Sequence, residues 1–135
     1  MIVLEAPSIA PAVLLVEDDD AVRDVIVRYL RAHGFDVVPA SSAEEALDLE
    51  PTRAFDIVVT DVVLPGLDGF AMAAEIVRRT PEVRVHFISG HFDASMAVAA
   101  GLSPETTVLK KPFPLTALLD LLRPALAERA ESTGS

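Results

Sequence analysis

Ala12-Val13-Leu14-Leu15-Val16-Glu17-Asp18 is an apolar run that stops on two carboxylates, and its shape recurs down the chain. Phe55-Asp56-Ile57-Val58-Val59-Thr60 ends on Asp61, Val85-His86-Phe87-Ile88 ends on Ser89, and Thr107-Val108-Leu109-Lys110 ends on Lys111-Pro112. Short runs rich in Val, Ile and Leu, apolar on both faces, are what strands sandwiched between helix layers look like. With a further run at 36–39, the strand candidates are 12–16, 36–39, 56–60, 84–88 and 106–110.

Helical patterns fill the intervals. In 20–32 the residues Val22, Val25, Ile26, Tyr29 and Leu30 form one apolar stripe, and Gly34 supplies the stop. Ser42 with Glu45 has the spacing of a capping box opening a helix over 43–50. Phe70, Ala73, Ala74 and Val77 share a face in 68–79, and Leu115, Leu118, Leu119 and Leu122 do so in 114–123, with Pro114 suited to the first turn. Between the fourth and fifth strands, Asp93 can cap a helix over 94–100 that Gly101 and Pro104 end early. Pro124 interrupts the last helix, leaving 125–130 as a kinked extension.

Strands alternating with helices make this an α/β fold, a (βα)5 doubly wound five-stranded parallel sheet. The flavodoxin-like order 2-1-3-4-5 is the common solution at this size. The expected organisation is an irregular leader at 1–10, one domain over 11–130 and a polar tail at 131–135. In that order the first and third strands are neighbours, so Glu17, Asp18 and Asp61 meet at the sheet's carboxyl edge, where such folds bind ligands.

The chain has 135 residues and a formal charge of -10, which argues against nucleic acid or an anionic membrane as a direct partner. It has no cysteine, so disulfides and thiolate metal sites are excluded. The N-terminus lacks a basic n-region and is interrupted by Glu5, Pro7 and Pro11; no apolar stretch has the length of a membrane span. A cytoplasmic protein is the expectation.

Three crowded carboxylates repel one another unless a cation offsets them. Mg²⁺ accepts a few carboxylates together with water and phosphate oxygens, whereas transition metals favour His or Cys, and His33, His86 and His91 have no ligand spacing. Asp61, at the end of a buried strand, can serve as a nucleophile that forms an aspartyl phosphate. Lys111 would place a point charge on a phosphoryl oxygen and Ser89 a hydroxyl. Lys110 and Lys111 are the only lysines in the chain.

Four segments carry a resemblance: Val13-Leu14-Leu15-Val16-Glu17-Asp18-Asp19; Val59-Thr60-Asp61 with Leu64-Pro65-Gly66-Leu67-Asp68-Gly69; Phe87-Ile88-Ser89-Gly90; and Lys111-Pro112-Phe113. Together, over roughly 11–123, the chain resembles the CheY-like receiver domain of response regulators, the phosphoacceptor module of two-component signalling. The resemblance implies that Asp61 is the phosphorylated aspartate, and that Glu17, Asp18, Asp61 and the backbone carbonyl of Val63 hold Mg²⁺. It implies that Ser89 is a switch hydroxyl, that Lys111 pairs with the phosphoryl group and that the Lys111–Pro112 bond is cis. The implied partners are a sensor histidine kinase or histidine phosphotransfer protein and a downstream protein target. The resemblance further implies that the switching face is the predicted fourth helix, fifth strand and last helix, and that the chain is a monomer or weak homodimer. No enzymatic activity beyond self-phosphorylation and autodephosphorylation is expected of such a domain. Its departures are Glu17 where Asp is usual, apolar Val63, His91 two residues past Ser89, and Val108 where an aromatic residue is common.

Plainer roles stand beside these. Asp19 and Asp20 suit the start of a helix, Asp68-Gly69 a turn leading into one, Lys110 a solvated surface, Phe113 and His86 packing positions, and His33 a helix C-terminus. Among other classes, an aspartate-nucleophile phosphatase carries a second Asp where this chain has Val63, and an FMN protein needs a phosphate cradle where Glu17-Asp18-Asp19-Asp20 would repel it. A receiver-like adaptor indifferent to phosphate, or a receiver module from a hybrid histidine kinase, are the alternatives. A single-domain regulator is the form expected from a chain opening on Met1.

Overall fold

The computed structural model describes residues 10–90 and 107–134. Its elements are β1 (Ala12–Val16), α1 (Asp20–Ala32), β2 (Asp36–Ala40), α2 (Ala43–Leu49), β3 (Ile57–Asp61), α3 (Gly69–Arg79), β4 (Arg84–Ser89), β5 (Thr107–Lys110) and α4 (Leu115–Gly134), with a 3-10 turn at Glu50–Thr52. The five strands are parallel in the order β2-β1-β3-β4-β5, as the sequence predicts. The predicted helix over 94–100, His91 and the leader at 1–9 lie outside the described residues.

The central strands β1 and β3 are fully buried and almost wholly apolar because each face has its own helix layer. Val13 and Leu15 of β1, Val37 of β2 and Ile57 and Val59 of β3 point to one side, where they pack with Ile26, Val27 and Leu30 of α1 and Leu118, Leu119 and Leu122 of α4. Leu14, Val16 and Val58 point the other way, against Ala43 and Ala46 of α2 and Met72 and Ile76 of α3. Period-two alternation thus divides the strands between two cores. Pro39 sits in β2, an edge strand, where a missing N–H leaves no gap in the ladder.

The helix boundaries follow local chemistry. Asp19, Ser42 and Asp68 cap α1, α2 and α3, each accepting the backbone N–H three residues on. Gly34, at φ +97°, ends α1: Gly34 N–H reaches the Arg31 carbonyl and Phe35 N–H that of Leu30, a pair of bonds made when the chain passes through the left-handed region. His33 closes the same end through Nδ1, 2.8 Å from the Tyr29 carbonyl.

The last helix differs from expectation. It runs through Pro124 to Gly134, so the predicted break at Pro124 gives way to one helix. Proline costs one i→i−4 bond, but Leu122 and Ala125 on either side of it are both buried in the core, and that packing holds the two segments in line. Arg84 of β4 adds an ion pair with Glu128 at 2.7 Å.

Gly69 fixes the loop that carries Asp61. Its N–H donates to the Val62 carbonyl at 2.8 Å, and a Cβ at this position would lie 2.0 Å from the Asp61 carbonyl oxygen. The neighbour is backbone of the buried β3, so it cannot yield. Gly69→Ala is therefore expected to destabilise the fold by about 3 kcal/mol or more, read as a fall in the urea midpoint at unchanged slope; a midpoint equal to wild type would show that the loop relaxes freely.

Candidate functional site

Parallel pairing of β1 with β3 aligns Val16 with Thr60, so Glu17 and Asp61, the residues that follow, emerge side by side. Carboxylate oxygens of Glu17, Asp18 and Asp61 lie within 4.8 Å of one another. Glu17 and Asp61 are buried, whereas Asp18 is exposed at the mouth of the site. Lys111 enters from the end of β5: Nζ is 2.7 Å from Asp61 Oδ2 and 3.2 and 3.3 Å from the two Glu17 oxygens. The other Asp61 oxygen, Oδ1, accepts the Val63 N–H at 3.1 Å, and Thr60 Oγ1 donates to the Asp61 carbonyl at 2.9 Å.

Lys111 is held in this position by the backbone. Its N–H donates to the Ser89 carbonyl at 2.8 Å, and the bond to Pro112 is cis. Ser89 is fully buried at the end of β4, one residue past Ile88, which pairs with Asp61. The sequence-predicted residues Glu17, Asp18, Asp61, Ser89 and Lys111 are therefore all gathered at one edge of the sheet. Val63 contributes its N–H to Asp61 while its side chain stands in solvent.

The electrostatics of the site are set by burial and by the closeness of two carboxylates to one ammonium. Burial, and next the proximity of Asp61, push the Glu17 carboxyl up to about 7 in spite of the opposing pull of Lys111. Burial acts to lower the Lys111 ammonium, but its bonds to Asp61 and Glu17 outweigh burial and hold it above its ordinary value. Burial comes first in raising this carboxyl and the neighbouring Asp61 carboxylate second, so a cation bound beside them would favour the ionised form of both acids. Oxygen donors in such a cluster suit a hard cation, and the donor set fits Mg²⁺ better than a metal that favours nitrogen or sulfur.

Three features of the site had no clear mark in the sequence. Arg23 of α1 folds back so that Nη1 donates to the Glu17 carbonyl at 2.8 Å and Nη2 to Asp20 Oδ1 at 2.6 Å. Glu44 of α2 accepts the Leu67 N–H at 3.3 Å, bracing the loop after β3. An open groove of about 680 Å³ runs beside Lys111, between Ala21, Val22, Val25 and Ile26 of α1 and Pro112, Phe113 and Leu115. Only the i,i+3 spacing of Asp20 and Arg23 hinted at the first, and the apolar Val22 and Val25, which are exposed at 37% and 51%, hinted at the third.

Comparison with known proteins identifies the family. The family model described as the response regulator receiver domain matches residues 13–123. The chain is 37% identical over 119 residues to the sensor kinase CckA of Brucella abortus, covering 87% of this chain and 13% of that protein. It is 38% identical over 113 residues to the response regulator protein FleR of Pseudomonas aeruginosa, covering 84% of this chain and 24% of that one. Among solved structures, a receiver domain protein of Clostridium thermocellum superimposes with a TM-score of 0.76 at 28% identity, covering 88% of this chain and 96% of that one. NtrX of Brucella abortus in complex with ADP superimposes with a TM-score of 0.77 at 32% identity, covering 91% of this chain and 28% of that one.

The chain belongs to the response regulator receiver domain family of two-component systems. It spans only 13% and 24% of the length of CckA and FleR. Receiver domains are signalling phosphoacceptors that bind Mg²⁺ at an acidic pocket and interact with histidine kinases and downstream targets. Among the described residues, no helix is long and apolar enough to cross a membrane.

The raised Glu17 carboxyl has a consequence for stability. Its ordinary value is 4.5 and its folded value about 7, so between these the folded protein binds more protons than the unfolded chain. Stability from this group is present at the acid end and lost as pH rises through the folded value. His86, lowered by burial and by Arg84, contributes with the opposite sign, so the wild type must be compared with Glu17→Gln rather than read alone. In metal-free protein, Glu17→Gln is expected to gain thermal stability relative to wild type as pH is raised from about 5 to about 8. Equal pH profiles for the two proteins would refute the assignment.

Proposed function

We propose that Asp61 accepts a phosphoryl group from a phosphorylated histidine of a sensor kinase or phosphotransfer protein. The observation that supports this best is the Asp61 carboxylate itself: buried, held by the Lys111 ammonium on one oxygen and the Val63 N–H on the other, beside Glu17 and Asp18. In the transfer an Asp61 oxygen forms a bond to phosphorus as the phosphorus–nitrogen bond of the donor imidazole breaks, and the imidazole nitrogen recovers a proton from water. Lys111 holds Asp61 in line and moves its charge toward the incoming phosphoryl oxygens. Glu17, Asp18, Asp61 and the Val63 carbonyl would hold Mg²⁺, which when bound supplies the positive charge that phosphoryl transfer requires.

Ser89, buried at the neighbouring strand end, is the hydroxyl that follows the phosphoryl group, and its displacement biases a two-state equilibrium at the face around β5 and α4. That face transmits the signal to a downstream protein, and the chain acts in the cytoplasm without nucleic-acid contact of its own. Val108, at β5, packs half-buried against Phe87, Phe70 and Val62. The smaller side chain there makes the coupling between Ser89 and this face depend on packing rather than on rotation of an aromatic ring.

The groove beside Lys111 offers the donor a seat. It is apolar, it adjoins the acceptor carboxylate's partner, and Val22 and Val25 present uncovered side chains along it. An amphipathic helix bearing the donor histidine matches that shape.

Two experiments test this reading. Intact mass after incubation with acetyl phosphate and Mg²⁺ is expected to rise by one phosphoryl group, with no rise without Mg²⁺ or in Asp61→Asn. No gain in folded protein, with acetyl phosphate or with a phosphorylated histidine donor, would leave a phosphate-independent adaptor as the better account. For docking, Val25→Asp is expected to slow transfer from a phosphorylated histidine domain about tenfold more than it slows labelling by acetyl phosphate; equal slowing would remove the groove from the transfer step.

A further inference from the structure

The loop joining β1 to α1 carries both Glu17 and Asp18, and its geometry is fixed at three points. The Glu17 N–H donates to the Ala40 carbonyl at 3.1 Å, the Glu17 carbonyl accepts Arg23 Nη1 at 2.8 Å, and Asp19 Oδ1 accepts the Val22 N–H at 3.0 Å. The middle contact is the unusual one. A guanidinium from the first turn of α1 reaches back over its own N-terminus, is steadied by Asp20 Oδ1 at 2.6 Å, and is largely covered, with 20% of its side chain exposed.

The Glu17 carbonyl lies in the same rigid plane as the Asp18 N–H, so holding one fixes the other. Asp18 is exposed and, among the described residues, no side-chain hydrogen bond orients its carboxylate; its direction is inherited from the backbone on either side. On the far side that backbone is set by the Asp19 cap. On the near side it is set by Arg23.

We propose that Arg23 is a positioning residue: its planar fork sets the Glu17–Asp18 peptide and so aims Asp18 at the cation, without touching the cation itself. The inference rests on the Mg²⁺ site of the functional reading above. It also has a sign that separates it from a simple charge effect. A positive side chain beside the acidic cluster repels an incoming cation, so by charge alone its removal would tighten Mg²⁺ binding. By positioning, its removal loosens binding. Lysine distinguishes the two again, because it keeps the charge but lacks the two-pronged geometry.

The test is calorimetric titration of the folded chain with Mg²⁺, with backbone amide exchange of metal-free protein as the second readout. Arg23→Ala is expected to weaken Mg²⁺ affinity about tenfold, the usual scale for a group that orients a ligand from behind, and Arg23→Lys to recover only part of it. In metal-free protein, exchange at the capped Val22 amide and at the Glu17 amide held by Ala40 is expected to accelerate while the amides of β3 stay protected. Affinity that is unchanged or tighter in Arg23→Ala, or fully restored by lysine, would overturn the proposal. So would accelerated exchange across the whole sheet, since that marks general destabilisation. Wild-type protein that fails to bind Mg²⁺ would instead sink the functional reading on which this one stands.

Discussion

The rest of this structure depends on the concentration of negative charge at one end of a parallel sheet. Glu17 and Asp61 are buried side by side because β1 and β3 are paired in register, and Asp18 stands at their mouth. Carboxylates placed so close would separate if the backbone could move. It cannot, because each strand is locked between two apolar layers. The charge is offset instead by Lys111, which arrives from β5 and bonds both buried acids. The stability of the core thus holds together a site that is unfavourable in itself, a common condition for sites with chemistry to perform.

The supports of the site are mostly backbone. The Val63 N–H orients Asp61, the Ser89 carbonyl fixes the Lys111 N–H, and the Ala40 carbonyl holds the Glu17 N–H. Close approach of Gly69 to the Asp61 carbonyl keeps the following loop tight. Main-chain anchors of this kind depend little on which side chains surround them. That explains how the site accommodates Glu17, Val63 and Val108, where the resemblance would favour other residues. The longer Glu17 arm is engaged through both oxygens by Lys111. Val63 lends its amide and leaves its side chain in water.

The comparisons and the geometry bear on different levels. Similarity over residues 13–123 defines the family, and a solved receiver domain superimposes on the fold with a TM-score of 0.76. The curated relatives are much longer than this chain, so its pathway is a separate matter from its fold. The details of the site lie in its side chains: the raised Glu17 carboxyl, the Arg23 contact behind the acidic loop, and the exposed Val22 and Val25 beside Lys111.

Much of this was open to reading in the sequence, and for a definite reason. Strands buried on both faces must be apolar throughout, so the polar residue that ends each run marks the sheet's carboxyl edge; Glu17-Asp18, Asp61, Ser89 and Lys111 therefore announced both fold and site. Capping signals at Asp19, Ser42 and Asp68 act within three residues and were equally visible. Interactions that depend on how elements pack were not. The passage of α4 through Pro124 was decided by the burial of Leu122 and Ala125, which outweighed a local rule against it. The return of Arg23 to the Glu17 carbonyl, the brace from Glu44 to Leu67 and the groove between α1 and Phe113 each need two segments brought together at a set angle. The sequence by itself determined which residues can be strands, where each strand ends and what chemistry its end carries, because those are properties of short runs. Only the tertiary structure decided which carboxylates share their burial with Lys111, which of them burial raises and which backbone carbonyl an arginine holds, because those depend on how separate elements pack against one another.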